Sequence, residues 1–129
     1  MNYRKESDIY MMNNFVCVGR LVANPELKEL EDGKKVTNIT VAVPRSYKNA
    51  DGEYDTDFVD CTLWNNIAQS TTDYCKTGDV IGIKGRIESK LYEKEDGTKQ
   101  KVMTVVADRI TFLSSSKEKI QNQEEPEMA

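Results

Sequence analysis

The chain lacks histidine altogether and contains only three cysteines in 129 residues. Histidine is the commonest general base and metal ligand in proteins, so its absence argues against hydrolytic and metal-assisted catalysis. The three cysteines, Cys17, Cys61 and Cys75, are widely spaced and form no CxxC pair, which argues against a structural zinc site. We therefore expect no metal and no cofactor, and we interpret the cysteines as small buried apolar residues in a reducing compartment.

Long apolar runs are also missing from the sequence. No run approaches the roughly 18 residues needed to cross a bilayer. The segment from Met1 to Met12 is polar and mixed in charge, so it has no apolar signal-peptide core. These absences predict a cytoplasmic protein with no membrane partner. The length leaves room for one domain of about 100 residues and short tails.

The sequence also has no excess of basic residues. The net charge is −4, from 18 Lys and Arg residues against 22 Asp and Glu residues. Residues 1–11 are balanced, whereas residues 12–113 and residues 114–129 each carry a net −2. The overall charge therefore gives no argument for nucleic-acid binding, and any such argument must depend on where the charged side chains face.

What the sequence does contain is a β-rich pattern. Apolar and polar residues alternate in several runs, and Asp-Gly steps that begin at Asp32, Asp51 and Asp96 are typical of hairpin turns. The run that begins at Val36 stops at Pro44. The predicted strands are Asn14 to Ala23, a short strand at Leu27 to Leu30, Val36 to Val43, Asp57 to Trp64, Val80 to Tyr92 and Lys101 to Leu113.

One helix is predicted over Asn65 to Thr77, with Asn65 or Asn66 as its N-cap and Gly78 at its C′ position. Its apolar face is formed by Ile67, Thr71, Tyr74 and Cys75. Five long strands with a helix between the third and fourth is the order of the OB-fold, an all-β, five-stranded Greek-key barrel. A five-stranded SH3-like barrel competes with it but lacks the helix. We expect the barrel at 12–113, a flexible N-terminal extension at 1–11 and a short acidic disordered tail at 114–129.

The predicted strand Asp57 to Trp64 places aromatic residues on its polar side. Alternation directs Val59, Cys61 and Leu63 into the core, and it directs Phe58 and Trp64 to the opposite face. Large aromatic side chains outside the core usually have a partner. Either they cover a second small core or a subunit interface, or they bind a ligand.

The next long strand directs Ile81, Ile83, Gly85 and Ile87 to the core face, and its other face adds positive charge. If no bulge intervenes, its outer face carries Lys84, Arg86, Lys90 and Tyr92, although a solvated edge strand would look similar. Together the two strands predict aromatic and basic residues on the outer face of one sheet. Single-stranded DNA needs such a surface, because its unstacked bases stack on aromatic rings and its phosphates contact Lys and Arg. No Arg, Asn or Gln side chain can be identified that is placed to hydrogen-bond base edges, so we expect little sequence preference.

From Met12 to about Leu113 the chain resembles the bacterial single-stranded DNA-binding protein family. The likeness lies in the opening NNFVCVGRLVANPELKEL, in VTNITVAVPRSYKN, in TDFVDCTLWNNIAQ, in KTGDVIGIKGRIESKLYEKEDG and in VVADRITFL. It implies a non-catalytic, nucleoid-associated homotetramer that coats single-stranded DNA during replication, recombination and repair. It also implies base stacking on Tyr47, Phe58, Trp64 and Tyr92, with the DNA path near Arg45, Lys48, Lys84, Arg86 and Lys90.

The tail departs from that family. Chromosomal members usually carry a long linker that ends in an acidic tip with a terminal aromatic residue, whereas this chain closes with EEPEMA after a tail of about 15 residues. The departure puts recruitment of replication and repair partners through the tail in doubt, and it fits an accessory or phage-like member.

Two rival functions are considered beside DNA coating. The aromatic face could bind protein instead, as in a primosome-type OB dimer. A nuclease is the other rival, but Asp57 and Asp60 point to opposite faces of their predicted strand and would make a poor metal pair.

Overall fold

The structure, a computed structural model, describes residues 11–115. The predicted N-terminal extension and acidic tail lie outside the described residues, apart from Met11, Ser114 and Ser115. The described part contains six strands and one helix. In chain order they are β1 (Phe15–Leu21), β2 (Lys28–Glu29), β3 (Lys35–Lys48), β4 (Tyr54–Trp64), α1 (Asn65–Tyr74), β5 (Val80–Glu93) and β6 (Lys99–Ser114).

Five of these strands close into a barrel in the order β1-β5-β6-β4-β3. The barrel closes where β1 returns to β3, through the pairs Arg20↔Ala42 and Leu21↔Val41. β4 and β6 run parallel, and the other pairs are antiparallel. The short β2 extends the sheet beyond β3. With α1 between the third and fourth barrel strands, this is the predicted OB-fold.

The barrel interior follows the period-two alternation of the strands. Val59 is half-buried on β4, and Cys61 and Leu63 are fully buried, as predicted. The rest of the buried apolar core comprises Leu21, Ile39, Val41, Ala68, Cys75, Ile81, Ile83 and Ala107. Burial raises the pKa of the Cys61 thiol to about 12, and it also raises the pKa values of Cys17 and Cys75. These thiols therefore stay protonated at neutral pH.

Close packing between β5 and β6 depends on one glycine. A Cβ atom at Gly85 would overlap the carbonyl oxygen of Val106, whereas a Cβ atom at Gly82 would meet its nearest neighbours at 3.8 Å. β6 also bulges at this point, because Lys84 pairs with Arg109 and Gly85 pairs with Ala107. The extra residue belongs to β6, so the alternation of β5 continues without interruption.

The helix ends differ from the prediction. No side-chain hydrogen bond caps the helix N-terminus. Asn65 instead has a positive φ of 54° and accepts a hydrogen bond from the Lys35 amide at 3.2 Å. Gly78 lies beyond the C′ position, since the C-cap is Cys75, and its amide donates to a carbonyl of β1. The predicted cap residues therefore connect the helix ends to the barrel wall.

Two residues predicted to be buried are exposed. Tyr74 is 79% exposed, because α1 buries Ala68 and Thr71 and leaves Tyr74 at the edge of its covered face. Ile87 is 38% exposed, since β5 continues past the barrel wall and none of the described helices and strands covers this part of its inner face. Alternation identified the face of Ile87 correctly but not its burial.

The strand predicted to stop at Pro44 continues to Lys48. Pro44 still pairs opposite Thr56, and Lys48 pairs opposite Tyr54, so β3 contains two more residues than β4 over this stretch. Proline is tolerated in a sheet at such an irregularity, where its missing N–H costs no ladder hydrogen bond. The prediction was wrong because it treated Pro44 as the end of the strand.

Asn13 marks the point where β5 leaves the barrel. Its side-chain amide donates to the Ile87 carbonyl at 2.7 Å, and its Oδ1 accepts from the Ile87 amide at 2.8 Å. The side chain thus extends the β1–β5 ladder past its last backbone pair, Phe15↔Gly85. Beyond this point, within residues 11–115, β5 pairs with β6 alone, as a two-stranded arm that reaches Glu93↔Lys99.

Candidate nucleic-acid interface

The outer face of β4 carries the two aromatic residues that alternation placed there. Phe58 is 66% exposed and Trp64 is half-buried. Six residues separate them on one strand, a distance of about 20 Å at roughly 3.3 Å per residue. The structure therefore presents two separated aromatic surfaces along one strand.

Between these aromatics the surface is polar and ordered by cross-strand hydrogen bonds. Asp60 pairs with Thr40 of β3, and Thr62 pairs with Asn38. The Thr40 hydroxyl donates to Asp60 Oδ1 at 2.6 Å, and the Thr62 hydroxyl donates to Asn38 Oδ1 at 2.9 Å. Asn38 and Thr40 were not predicted as residues of this face, although their alternation with buried Ile39 could have identified them.

Arg86 lies on the same continuous sheet as these residues. It pairs with Val106 of β6, which in turn pairs with Thr62 of β4, so Arg86 lies two strands, or about 10 Å, from Thr62. Its guanidinium is held by carboxylates: Nη1 lies 2.6 Å from Asp108 Oδ1 and Nη2 lies 2.9 Å from Glu88 Oε2. These two ion pairs neutralise the Arg86 charge within the chain.

Arg45 is also paired within the chain. Its Nη2 lies 2.9 Å from Asp57 Oδ1, its Nε lies 3.1 Å from Asp57 Oδ2, and its Nη1 lies 3.8 Å from Asp55. The hydrogen bond from Arg45 lowers the pKa of Asp57, and the same bond raises the pKa of Arg45. Both side chains are exposed, so water and salt screen the pair.

The far end of the β3–β4 hairpin contributes a smaller aromatic group. Lys48 Nζ lies 5.8 Å from the ring centroid of Tyr54, its cross-strand partner, within the range of a cation–π contact. Tyr47 is 63% exposed beside it. Tyr54 therefore contacts Lys48 within the hairpin, and Tyr47 remains on the surface.

The remaining predicted contacts lie on other parts of the barrel. Lys84 pairs with Val16 of β1 and Arg109 of β6, so barrel closure places it on the β1–β5–β6 wall rather than beside β4. Lys90 and Tyr92 lie on the two-stranded arm, where Tyr92 is 51% exposed. Among residues 11–115 neither lysine forms an ion pair.

The described part of the chain was also expected to hold no metal ion and to have no membrane partner. Residues 11–115 contain no group of three or more acidic or cysteine side chains placed to hold a metal ion. They also contain no helix with the length and apolar character needed to span a membrane.

The closed barrel, its single helix and the aromatic strand β4 define an OB-fold protein. The chain belongs to the single-strand binding protein family, whose model matches residues 12–113. Single-stranded DNA-binding protein B of Bacillus subtilis is 43% identical over 103 residues, which cover 80% of this chain and 91% of that protein. Single-stranded DNA-binding protein 1 of Lactococcus lactis is 40% identical over 117 residues, which cover 91% of this chain and 78% of that protein. Single-stranded DNA-binding protein 3 of Listeria innocua is 39% identical over 105 residues, covering 81% of this chain and 66% of that protein.

Proposed function

We propose that this protein coats single-stranded DNA without catalysis and without requiring a particular sequence, in the cytoplasm and on the nucleoid, during replication, recombination and repair. Membership of the single-strand binding protein family and the names of the relatives support the substrate class. The proposed stacking residues are Tyr47, Phe58, Trp64 and Tyr92. The cations proposed to lie along the DNA path are Arg45, Lys48, Lys84, Arg86 and Lys90, of which Arg45 and Arg86 are held by carboxylates of the chain.

The observation that carries the proposal is the outer face of β4. Phe58 leaves about two thirds of its surface in solvent, although exposing a large aromatic ring is costly without a partner. Trp64 shares that face. Stacking of a base on each ring would contribute about 1–3 kcal/mol for any base, which suits a protein that tolerates all sequences.

We further propose that the protein is a homotetramer. On the outer face of β1, Val16 is 66% exposed and Val18 is 51% exposed, beside Gly82 of β5. An apolar surface of this kind supports association with other copies of the chain. Light scattering after size exclusion should then give four times the chain mass of 14.7 kDa.

Fluorescence of Trp64, the only tryptophan in the chain, tests base stacking directly. Oligo-dT should quench the emission, and added salt should reverse much of the binding because phosphate contacts release counterions. An emission spectrum that stays unchanged at saturating oligo-dT would contradict stacking on Trp64.

Substitution of Phe58 separates DNA binding from a role in assembly. Phe58→Ala should weaken binding of labelled oligo-dT by about 1–3 kcal/mol and leave the oligomer intact. Tyr74→Ala, which removes an exposed aromatic ring from the helix, is the matched control and should leave binding unchanged. If Phe58→Ala dissociates the oligomer instead, the aromatic face is a subunit or protein interface.

A further inference from the structure

Arg86 lies between two groups of proposed stacking residues. Through Val106 it is two strands, or about 10 Å, from Thr62 on β4, the strand with the aromatic outer face. Along β5 it lies about 20 Å before Tyr92, at roughly 3.3 Å per residue. DNA that passes from the aromatic rings of β4 to Tyr92 therefore crosses the part of the sheet that Arg86 occupies.

The bulge in β6 supplies one of the two carboxylates that hold Arg86. Asp108 is the extra residue of this bulge, because Gly85 pairs with Ala107 while the residue before Gly85 pairs with Arg109. Bulges commonly re-aim a side chain beside a functional site. Here the Asp108 carboxylate accepts a hydrogen bond from Arg86 Nη1 at 2.6 Å.

The two carboxylates bind the edge of the Arg86 guanidinium group. Glu88 Oε2 accepts a hydrogen bond from Nε at 3.1 Å and lies 2.9 Å from Nη2, while Asp108 holds Nη1. The N–H donors of a guanidinium group lie in its plane, so these contacts leave its flat face uncovered. The Arg86 side chain is 43% exposed, which makes that face accessible to a ligand.

The same arrangement disfavours a phosphate group at Arg86. One positive charge faces two negative charges, so the group formed by Arg86, Glu88 and Asp108 carries a net charge of −1. The two carboxylates repel a phosphate, whereas they do not repel a neutral base. An unstacked base can stack on an arginine plane as it does on an aromatic ring.

We propose that Arg86 is a further base-stacking residue, held at its edge by Glu88 and Asp108, and that it contacts DNA bases rather than phosphates. The proposal rests on the proposed DNA-coating function. It gives the DNA strand a stacking position between β4 and Tyr92, and it removes Arg86 from the residues that contact phosphates.

Arg86→Lys separates the two kinds of contact, because lysine keeps the positive charge and loses the flat guanidinium group. We expect the affinity for oligo-dT to fall about fivefold at every salt concentration, with an unchanged slope of log affinity against log salt concentration. The second probe is an abasic strand of the same length, measured at low salt, where phosphate contacts are strongest. Arg86→Lys should not alter its affinity, because this strand has phosphates but no bases.

Arg109→Lys is the matched control, since it makes the same substitution at an exposed arginine that pairs with Lys84 on the β1–β5–β6 wall. It should leave the binding of both strands unchanged. The stacking role of Arg86 would be overturned if Arg86→Lys leaves the oligo-dT affinity unchanged, lowers both affinities equally or flattens the salt dependence. Failure of the proposed function would look different, because the unmodified protein would then not bind oligo-dT.

Discussion

The Arg45–Asp57 ion pair predicts how steeply DNA binding depends on salt. Each phosphate neutralised on a single strand contributes about −0.7 to the slope of log affinity against log salt concentration. If all five proposed cations contacted phosphates, the slope would be about −3.5 per protomer. Arg45 and Arg86 are already paired with carboxylates, so we expect the three lysines to dominate, with a slope nearer −2.1.

The perturbation that tests this reasoning is Asp57→Asn. It removes the charge that faces Arg45 and leaves only Asp55, at 3.8 Å. The freed guanidinium should steepen the slope by up to about 0.7, so that the gain in affinity is about 2.6-fold larger at 50 mM than at 200 mM salt. The assay is titration of labelled oligo-dT across a series of salt concentrations.

Arg45→Ala completes the comparison. In the unmodified protein it should change the slope little, whereas in the Asp57→Asn background it should remove the gain. A loss of about 0.7 in slope from Arg45→Ala alone would refute the reasoning, because it would mean that Arg45 leaves Asp57 for a phosphate when DNA binds. Lower pH should act as Asp57→Asn does. Arg45 lowers the pKa of Asp57, so protonation of Asp57 and release of Arg45 require pH below the ordinary aspartate range.

Three further predictions concern stability and are all measured by urea unfolding. Gly85→Ala should destabilise the fold by about 1–3 kcal/mol, because the new methyl group overlaps a β6 carbonyl. Gly82→Ala makes ordinary contacts and should cost less. Equal losses of stability in the two variants would contradict the role of Gly85 in strand packing. Because the pKa of Cys61 is raised in the fold, only the unfolded thiol ionises as pH rises above about 9. The free energy of unfolding should therefore fall between pH 8 and pH 10.5, and it should fall more in the unmodified protein than in Cys61→Ala. Asn13→Ala removes both hydrogen bonds to the Ile87 backbone and should cost about 1 kcal/mol, and an unchanged unfolding midpoint would exclude this contribution.

Strand alternation predicted the parts of the site that depend on local geometry. It placed Phe58 and Trp64 outside and Cys61 and Leu63 inside, because successive side chains on β4 must point to opposite faces. It failed for Ile87, since alternation gives the direction of a side chain and not the presence of a covering element.

The charge distribution around the site was beyond the sequence pattern. Arg45 meets Asp57 at the stretch where β3 continues through Pro44 with two additional residues, and no local pattern predicts that irregularity. Barrel closure likewise separates Lys84 from β4 and places it against Val16. Both results depend on contacts between residues distant in sequence.

The bond between Asn13 and Ile87 divides β5 into two parts of different local stability. Up to Ile87 the strand has partners on both sides, whereas among residues 11–115 the remaining residues to Glu93 pair with β6 alone. An isolated two-stranded ribbon is marginally stable in water. We therefore expect the arm, which carries Lys90 and Tyr92, to be the least stable part of β5. If Lys90 and Tyr92 contact DNA as proposed, binding has to order the arm, and the loss of conformational entropy lowers the affinity for DNA.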